Sequence, residues 1–253
     1  MSMQSQNRIA LVTGAARGIG LATVHALLNA GNRVVAADVI PISLESFSAE
    51  QRARLMPEHL DVRDEQAGIA LLDKVKATWG AVGILVNNAG ISPKVEGGRS
   101  ASFMEVTPEE WSTVFDVNLT SVLRLSRNTI PQMKEQKWGR IVNIASLAGR
   151  ARARVAGTSY SASKAALIGL TRVMANELGM WGITCNSVAP GRILTDMVLQ
   201  AKKEVNDAFA EAIPLKRLGM PEEVAAAIAF LASEGGSYVS GTIMDVNGGF
   251  FMA

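Results

Sequence analysis

Tyr160-Ser-Ala-Ser-Lys164 places a phenol and an ammonium four residues apart. At the start of a helix that spacing projects both side chains from one face. A free tyrosine titrates near 10 and exchanges protons poorly at neutral pH. An ammonium about 5 Å away, at an effective dielectric of ~20, is worth roughly 3 kcal/mol, or ~2 pKa units. So paired, Tyr160 becomes a candidate general acid and base. Tyr-x3-Lys alone is a common coincidence, but Tyr160 is one of only two tyrosines and follows Ser146 by 14 residues. The second constellation is Thr13-Gly14-Ala15-Ala16-Arg17-Gly18-Ile19-Gly20. It joins a strand-like run to a helical one, where backbone N–H groups and the helix dipole attract a pyrophosphate. Glycine is needed because a Cβ would block the turn and keep phosphate oxygens off the backbone. The spacing Gly-x3-Gly-x-Gly lacks the Lys-Ser/Thr ending of an ATP-binding loop, which argues against phosphoryl transfer. A purely structural turn is the competing reading. Asp38 tips the balance: it ends a strand 18 residues beyond Gly20, close to the separation of about 20 at which an acid bonds an adenosine ribose.

Elements able to hold these groups recur along the chain. Strand-like runs fall at Ile9 to Thr13, Arg33 to Asp38, Glu58 to Val62, Ile84 to Asn88, Arg140 to Ser146, Thr184 to Ala189 and Thr242 to Val246. Between them, helical periodicity marks Ile19 to Asn29, Asp64 to Trp79, Pro108 to Lys134, Ser161 to Leu178 and Pro221 to Ala232. Gly31 reads as a helix stop, and Thr107-Pro108-Glu109-Glu110 as an N-cap, a first-turn proline and dipole-favoured acids. The alternation predicts an α/β fold: a doubly wound, seven-stranded parallel sheet of the Rossmann type with helices on both faces. With no linker, repeat or low-complexity tract, residues 1–253 read as one domain. Two long loops, Ile91 to Val106 and Gly191 to Leu218, follow strand C-terminal ends, the edge where open parallel sheets bind ligands.

Composition excludes other classes. A net charge of +2 is too small for the phosphate-neutralising footprint of a nucleic-acid binder. Val224 to Ala232 is the longest apolar run, nine residues, against the roughly 18 that span a bilayer. Residues Met1 to Arg8 lack a secretory pattern, so a cytoplasmic location is expected. Cys185, His25 and His59 are too few for structural zinc, and no metal site is expected. Cys185, in a strand-like run, reads as a small buried thiol, and neither histidine has the surroundings of a hydrolase triad.

Taken together, the chain resembles the short-chain dehydrogenase/reductases of single-domain type over nearly its whole length. The resemblance rests on Thr13-Gly-x3-Gly-Ile-Gly20, Asp61, Asn87-Asn88-Ala89-Gly90, Asn118, Ser146, Tyr160-x3-Lys164 and Pro190-Gly191. It implies an oxidoreductase that moves a hydride between a nicotinamide cofactor and a secondary alcohol or ketone. By that similarity Tyr160 is the proton donor and acceptor. Lys164 lowers its pKa and holds the nicotinamide ribose, Ser146 bonds the substrate oxygen, and Asn118 supports Lys164 through a water. Asp61 and Val62 are expected at the adenine, Asn88, Ala89 and Gly90 near the adenosine, and Ile193 and Thr195 at the carboxamide.

Cofactor choice sets Asp38 against Arg17. Within the family, an arginine before the second glycine accompanies NADP, while an acid at Asp38 favours NAD by bonding a free 2′-hydroxyl and repelling a phosphate. At about 4 Å and dielectric ~20 each like charge costs roughly 4 kcal/mol, so NAD is expected and NADP is the lesser alternative. Arg150, Arg152 and Arg154 form either a solvated loop or a site for an anionic substrate. An NADPH-dependent 3-ketoacyl reductase acting on carrier-protein or CoA thioesters is the alternative function. Trp181 replaces the basic residue such reductases commonly carry there, although Lys137 keeps a second basic position. The resemblance also implies a homotetramer built through the last helix and strand and the two long central helices. The rivals from other classes are a nucleotide-binding protein without turnover, and an ATP- or S-adenosylmethionine-dependent transferase.

Overall fold

The computed structural model describes residues 7–151, 155–199 and 203–252. Its strands are β1 (Ile9–Thr13), β2 (Arg33–Asp38), β3 (Leu55–His59), β4 (Ile84–Asn87), β5 (Gly139–Ile144), β6 (Ile183–Pro190) and β7 (Ile243–Val246). They form one sheet in the order β3-β2-β1-β4-β5-β6-β7, and every pairing is parallel. The helices are α1 (Gly18–Asn29), α2 (Ala49–Arg52), α3 (Glu65–Thr78), α4 (Pro108–Phe115), α5 (Ser121–Gln136), α6 (Thr158–Leu178), α7 (Asp196–Leu199), α8 (Lys203–Ala212) and α9 (Pro221–Ala232). The architecture is the expected doubly wound α/β fold.

Alternation along the strands makes two cores. Ala10 and Val12 of β1 face one side, with Val34, Val86, Val142 and Val188, against Val24 and Leu27 of α1 and Ile228 and Leu231 of α9. Ile9 and Leu11 face the other, with Val35, Leu85 and Ile141, against Leu71 and Val75 of α3, Leu125 and Met133 of α5, and Met174 and Leu178 of α6. Both faces are therefore covered, which is why the central strands read as continuous apolar runs rather than alternating ones. Chain order reverses between β1 and β4, so a crevice opens at their C-terminal ends.

Three elements depart from expectation. β3 lies at Leu55–His59, not Glu58 to Val62, because its register pairs Leu55 with Val34 and His59 with Asp38. Pro57 is tolerated inside it because β3 is an edge strand, and Asp61 and Val62 fall in the loop beyond. The helical stretch from Pro108 is interrupted by a π turn at Asp116–Thr120, where Asn118 turns inward to other partners. The segment expected as a long loop, Gly191 to Leu218, carries α7 and α8. Among the described residues no helix is long and apolar enough to cross a membrane, and no group of three His, Cys, Asp or Glu could hold a metal.

Candidate active site

The ends of β1 and β4 are stitched together by side chains. Thr13 Oγ1 accepts the Asn88 and Ala89 N–H groups, each at 3.1 Å. Asn88 Nδ2 donates back to the Thr13 and Gly14 carbonyls at 2.9 and 2.8 Å. This clamp fixes the glycine turn, in which Gly14 and Gly18 take φ of 63° and 55°, a conformation that disfavours any residue with a Cβ. Asp38 closes the other flank: its Oδ2 accepts the Ala16 N–H at 2.9 Å and its Oδ1 the Ile40 N–H at 3.1 Å. Asp61 is gripped by Arg63, Nη2 to Oδ2 at 2.6 Å, and that hydrogen bonding holds its carboxyl below the usual range. Arg17 reaches across the crevice to Asp196, 3.4 Å away, both exposed.

These groups line a cleft of about 750 Å³ at the strand C-termini. All the sequence-derived site residues line it except Asn118: Gly14, Arg17, Gly18, Ile19, Gly20, Asp38, Asp61, Val62, Asn88, Ala89, Gly90, Ser146, Tyr160, Lys164, Pro190, Gly191, Ile193 and Thr195. Asn118 is fully buried behind it. From the π turn its Oδ1 accepts the Ile91 N–H at 2.8 Å, and its Nδ2 donates to the Ile91 carbonyl and Ser163 Oγ at 3.0 and 3.1 Å. A Cβ placed on Gly90 would lie 3.3 Å from both Asn118 Oδ1 and Lys164 Nζ, so glycine there lets the loop pass between them.

Ser146 follows β5 and caps a short 3-10 turn, its Oγ accepting the Ala148 N–H at 3.1 Å. Tyr160 and Lys164 sit in the first turns of α6, with Lys164 Nζ 5.7 Å from the Tyr160 ring centroid. Lys164 is buried and donates to the Ile144 carbonyl at 2.7 Å. The expected electrostatics are not observed. Burial pushes the Tyr160 phenol up, the Ser146 hydroxyl pulls it back by hydrogen bonding, and burial lowers Lys164 to about 8. Desolvation penalises phenolate and ammonium alike, an effect that residue spacing could not reveal.

The sequence reading missed cleft-wall residues that carry no motif: Val39, Leu60, Arg63, Ser92, Pro93, Thr113, Val117, Asp196 and Val198. Most follow a strand end, and Ser92, Pro93, Asp196 and Val198 lie in the two long loops, whereas Thr113 of α4 and Val117 of the π turn reach the cleft with no local signal. Arg150 turns away from the cleft to pair with Asp245 and the Ile243 carbonyl on β7, while Arg152 and Arg154 lie outside the described residues. Trp181 packs beneath Lys134, whose Nζ is 5.1 Å from its ring centroid. The Cys185 thiol is buried and pushed up to about 12 by burial, as a packing thiol should be.

A glycine turn, a strand-end acid and a half-buried Tyr160 beside a buried Lys164 in one cleft define the frame of a nucleotide-dependent oxidoreductase. A family profile described as enoyl-(acyl carrier protein) reductase matches residues 14–251. The chain is 39% identical over 259 residues to the 3-oxoacyl-[acyl-carrier-protein] reductase FabG of Pseudomonas aeruginosa, covering 99% of this chain and 100% of that one. It is 40% identical over 248 residues to acetoacetyl-CoA reductase of Rhizobium meliloti, covering 98% and 100%. The crystal structure of a 3-oxoacyl-[acyl-carrier protein] reductase with bound NAD from Brucella melitensis superposes with a TM-score of 0.90 at 38% identity, over 99% of this chain and 94% of that one. The chain belongs to the short-chain dehydrogenase/reductase family and is an oxidoreductase acting on CH–OH groups.

Proposed function

We propose that this protein is an NAD-dependent oxidoreductase interconverting a secondary alcohol and a ketone. The observation that carries the reading is the joining of Asp38, the glycine turn, Ser146, Tyr160 and Lys164 along one cleft. The chain's own features suit a nucleotide: the two left-handed glycines, Gly14 and Gly18, present no Cβ in the turn, and Asp38 flanks it as an acceptor for a ribose hydroxyl. A bound nicotinamide dinucleotide supplies or accepts the hydride. Tyr160 gives the proton to the substrate oxygen during reduction, and Ser146 donates a hydrogen bond to that oxygen as charge develops. Lys164 would stabilise the phenolate left behind and would hold the ribose hydroxyls of the bound dinucleotide. Asn118, through Ile91 and Ser163, keeps the loop beside Lys164 in place.

The Asp38 carboxylate disfavours a 2′-phosphate, and Arg17 is drawn towards Asp196 rather than the ribose, which supports NAD over NADP. Initial rates of ketone reduction test this: kcat/KM with NADH should exceed that with NADPH by about tenfold or more, and the reverse order overturns it. A second reading, NADPH-dependent reduction of 3-ketoacyl thioesters, is favoured by the names of the relatives. The proposed setting is a single-domain protomer in a cytoplasmic homotetramer, without nucleic-acid or membrane partners.

A further inference from the structure

The turn that carries Ser146 is held on two sides. Within it, the Gly149 N–H donates to the Ser146 carbonyl and the Arg150 N–H to the Leu147 carbonyl, both at 3.0 Å. With the Ala148 N–H on Ser146 Oγ, these bonds make Ser146 to Arg150 one unit. The unit lies directly on α6: a Cβ on Gly149 would stand 2.7 Å from the Lys164 carbonyl carbon and from the Ala165 nitrogen. The turn bearing Ser146 therefore touches the backbone that bears Lys164.

Arg150 holds the other side. Its Nη1 donates to Asp245 Oδ2 and, at 3.3 Å, to the Ile243 carbonyl, and its guanidinium lies 5.1 Å from the Phe251 ring centroid. The side chains of Arg150 and Asp245 are only 17% and 22% exposed. Asp245 Oδ1 is buried with no hydrogen-bond partner among the described residues, so the carboxylate depends on Arg150 to compensate its charge. Removing either member of such a pair strands the other in a poorly solvated place. Asp245 is in turn fixed to the cleft wall. β7 pairs Asp245 with Ala189 and Val246 with Pro190, the Gly191 N–H donates to the Val246 carbonyl at 2.9 Å, and a Cβ on Gly191 would meet Asn247 at 2.8 Å. Asn247 Nδ2 holds the Phe251 carbonyl at 3.0 Å. Contacts thus run without a break from the wall residues Pro190 and Gly191, through Asp245 and Arg150, to Ser146 and Lys164.

We propose that Arg150 and Asp245 are positioning residues for ketone reduction, their ion pair bracing the Ser146 turn against the Lys164 backbone so that Ser146 and Tyr160 meet the same substrate oxygen. The inference rests on the oxidoreductase reading above. Neither residue lines the cleft, so the pair acts through Ser146 and touches no reacting atom. A donor displaced by about 1 Å can cost a hundredfold in rate.

The test uses Arg150→Met and Asp245→Asn, each alone and combined with Ser146→Ala. Hydrogen exchange followed by mass spectrometry reads the turn without any reaction. Peptides covering Ala148 to Arg150 should exchange about tenfold faster in both variants, while those covering Gly14 to Gly20 keep the wild-type rate. Initial rates at saturating NADH read the consequence, with the best ketone from a panel of 3-oxo acids, 3-oxoacyl thioesters and keto sugars. Each substitution should lower kcat about 10- to 100-fold where Ser146 is present, and by less than about twofold where it is already alanine, because nothing is then left to position. Losses that multiply in the double variants overturn the brace. So does exchange at the turn that stays at the wild-type rate, or that rises equally at Gly14 to Gly20, in whichever variants fold. Asp245→Asn preserves side-chain shape, so the test does not depend on Arg150→Met folding. If the wild type reduces no ketone with NADH or NADPH, the oxidoreductase reading fails, and the exchange rates alone decide whether the pair braces the turn.

Discussion

At the residue scale burial acts in opposite senses on the two groups of the proposed proton transfer. Burial holds the Tyr160 phenol protonated, which suits a proton donor in ketone reduction, and it leaves Lys164 titrating near 8. In the proposed reaction the ammonium is the form that would stabilise the phenolate produced when Tyr160 gives up its proton. Raising the pH through about 8 removes that charge while the phenol is still protonated. The rate of ketone reduction should therefore be flat at lower pH and decline above about 8. A pH–kcat profile still level at pH ~10, the ordinary tyrosine value, would contradict this ordering. Residue identity and spacing mark Tyr160, Lys164, Ser146 and Asp38 as candidates, and all four line one cleft. The direction of the Tyr160 shift was not legible, because it depends on how much protein surrounds the pair.

At the element scale, function depends on how tightly the turn between β1 and α1 is packed. A Cβ on Gly20 would stand 1.9 Å from the Gly14 carbonyl oxygen and 2.6 Å from Asn88 Nδ2, so the clamp holding β1 to β4 would have to open. Gly20→Ala should cost about 2–3 kcal/mol of stability, read from the urea midpoint, and weaken NADH binding in a fluorescence titration. Wild-type values for both would show that the turn adapts. The strands were readable from their β-branched runs, since burial on both faces demands them. β3 was misplaced because an edge strand with one covered face carries a weaker apolar signal, and its register with β2 is a tertiary choice. The π turn escaped periodicity for a similar reason: the pull of Ile91 and Ser163 on Asn118 comes from sequence-distant partners.

At the scale of the whole molecule, apolar side chains remain on the outer faces of the long helices, with Leu123 of α5 at 42% and Val173 of α6 at 53% exposure, and β7 is a half-buried edge strand. The proposed homotetramer would cover these surfaces. Light scattering at micromolar protein should give four times the mass of one chain, and Val173→Asp should shift the protein to a smaller assembly. A monomeric wild type would refute this arrangement. Arg150 and Asp245 tie the loop between Ser146 and Tyr160 to β7, so the same substitution should also lower turnover if assembly steadies that loop.

In the proposed reaction one cleft joins a dinucleotide to a ketone at Tyr160. Its most direct test is absorbance at 340 nm during reduction of a panel of 3-oxo acids, 3-oxoacyl thioesters and keto sugars, comparing the wild type with Tyr160→Phe at matched NADH saturation. The wild type should consume NADH with at least one of these ketones. Tyr160→Phe should bind NADH comparably and lose at least about a hundredfold in kcat. Comparable turnover by the two proteins on the same ketone would contradict the claim.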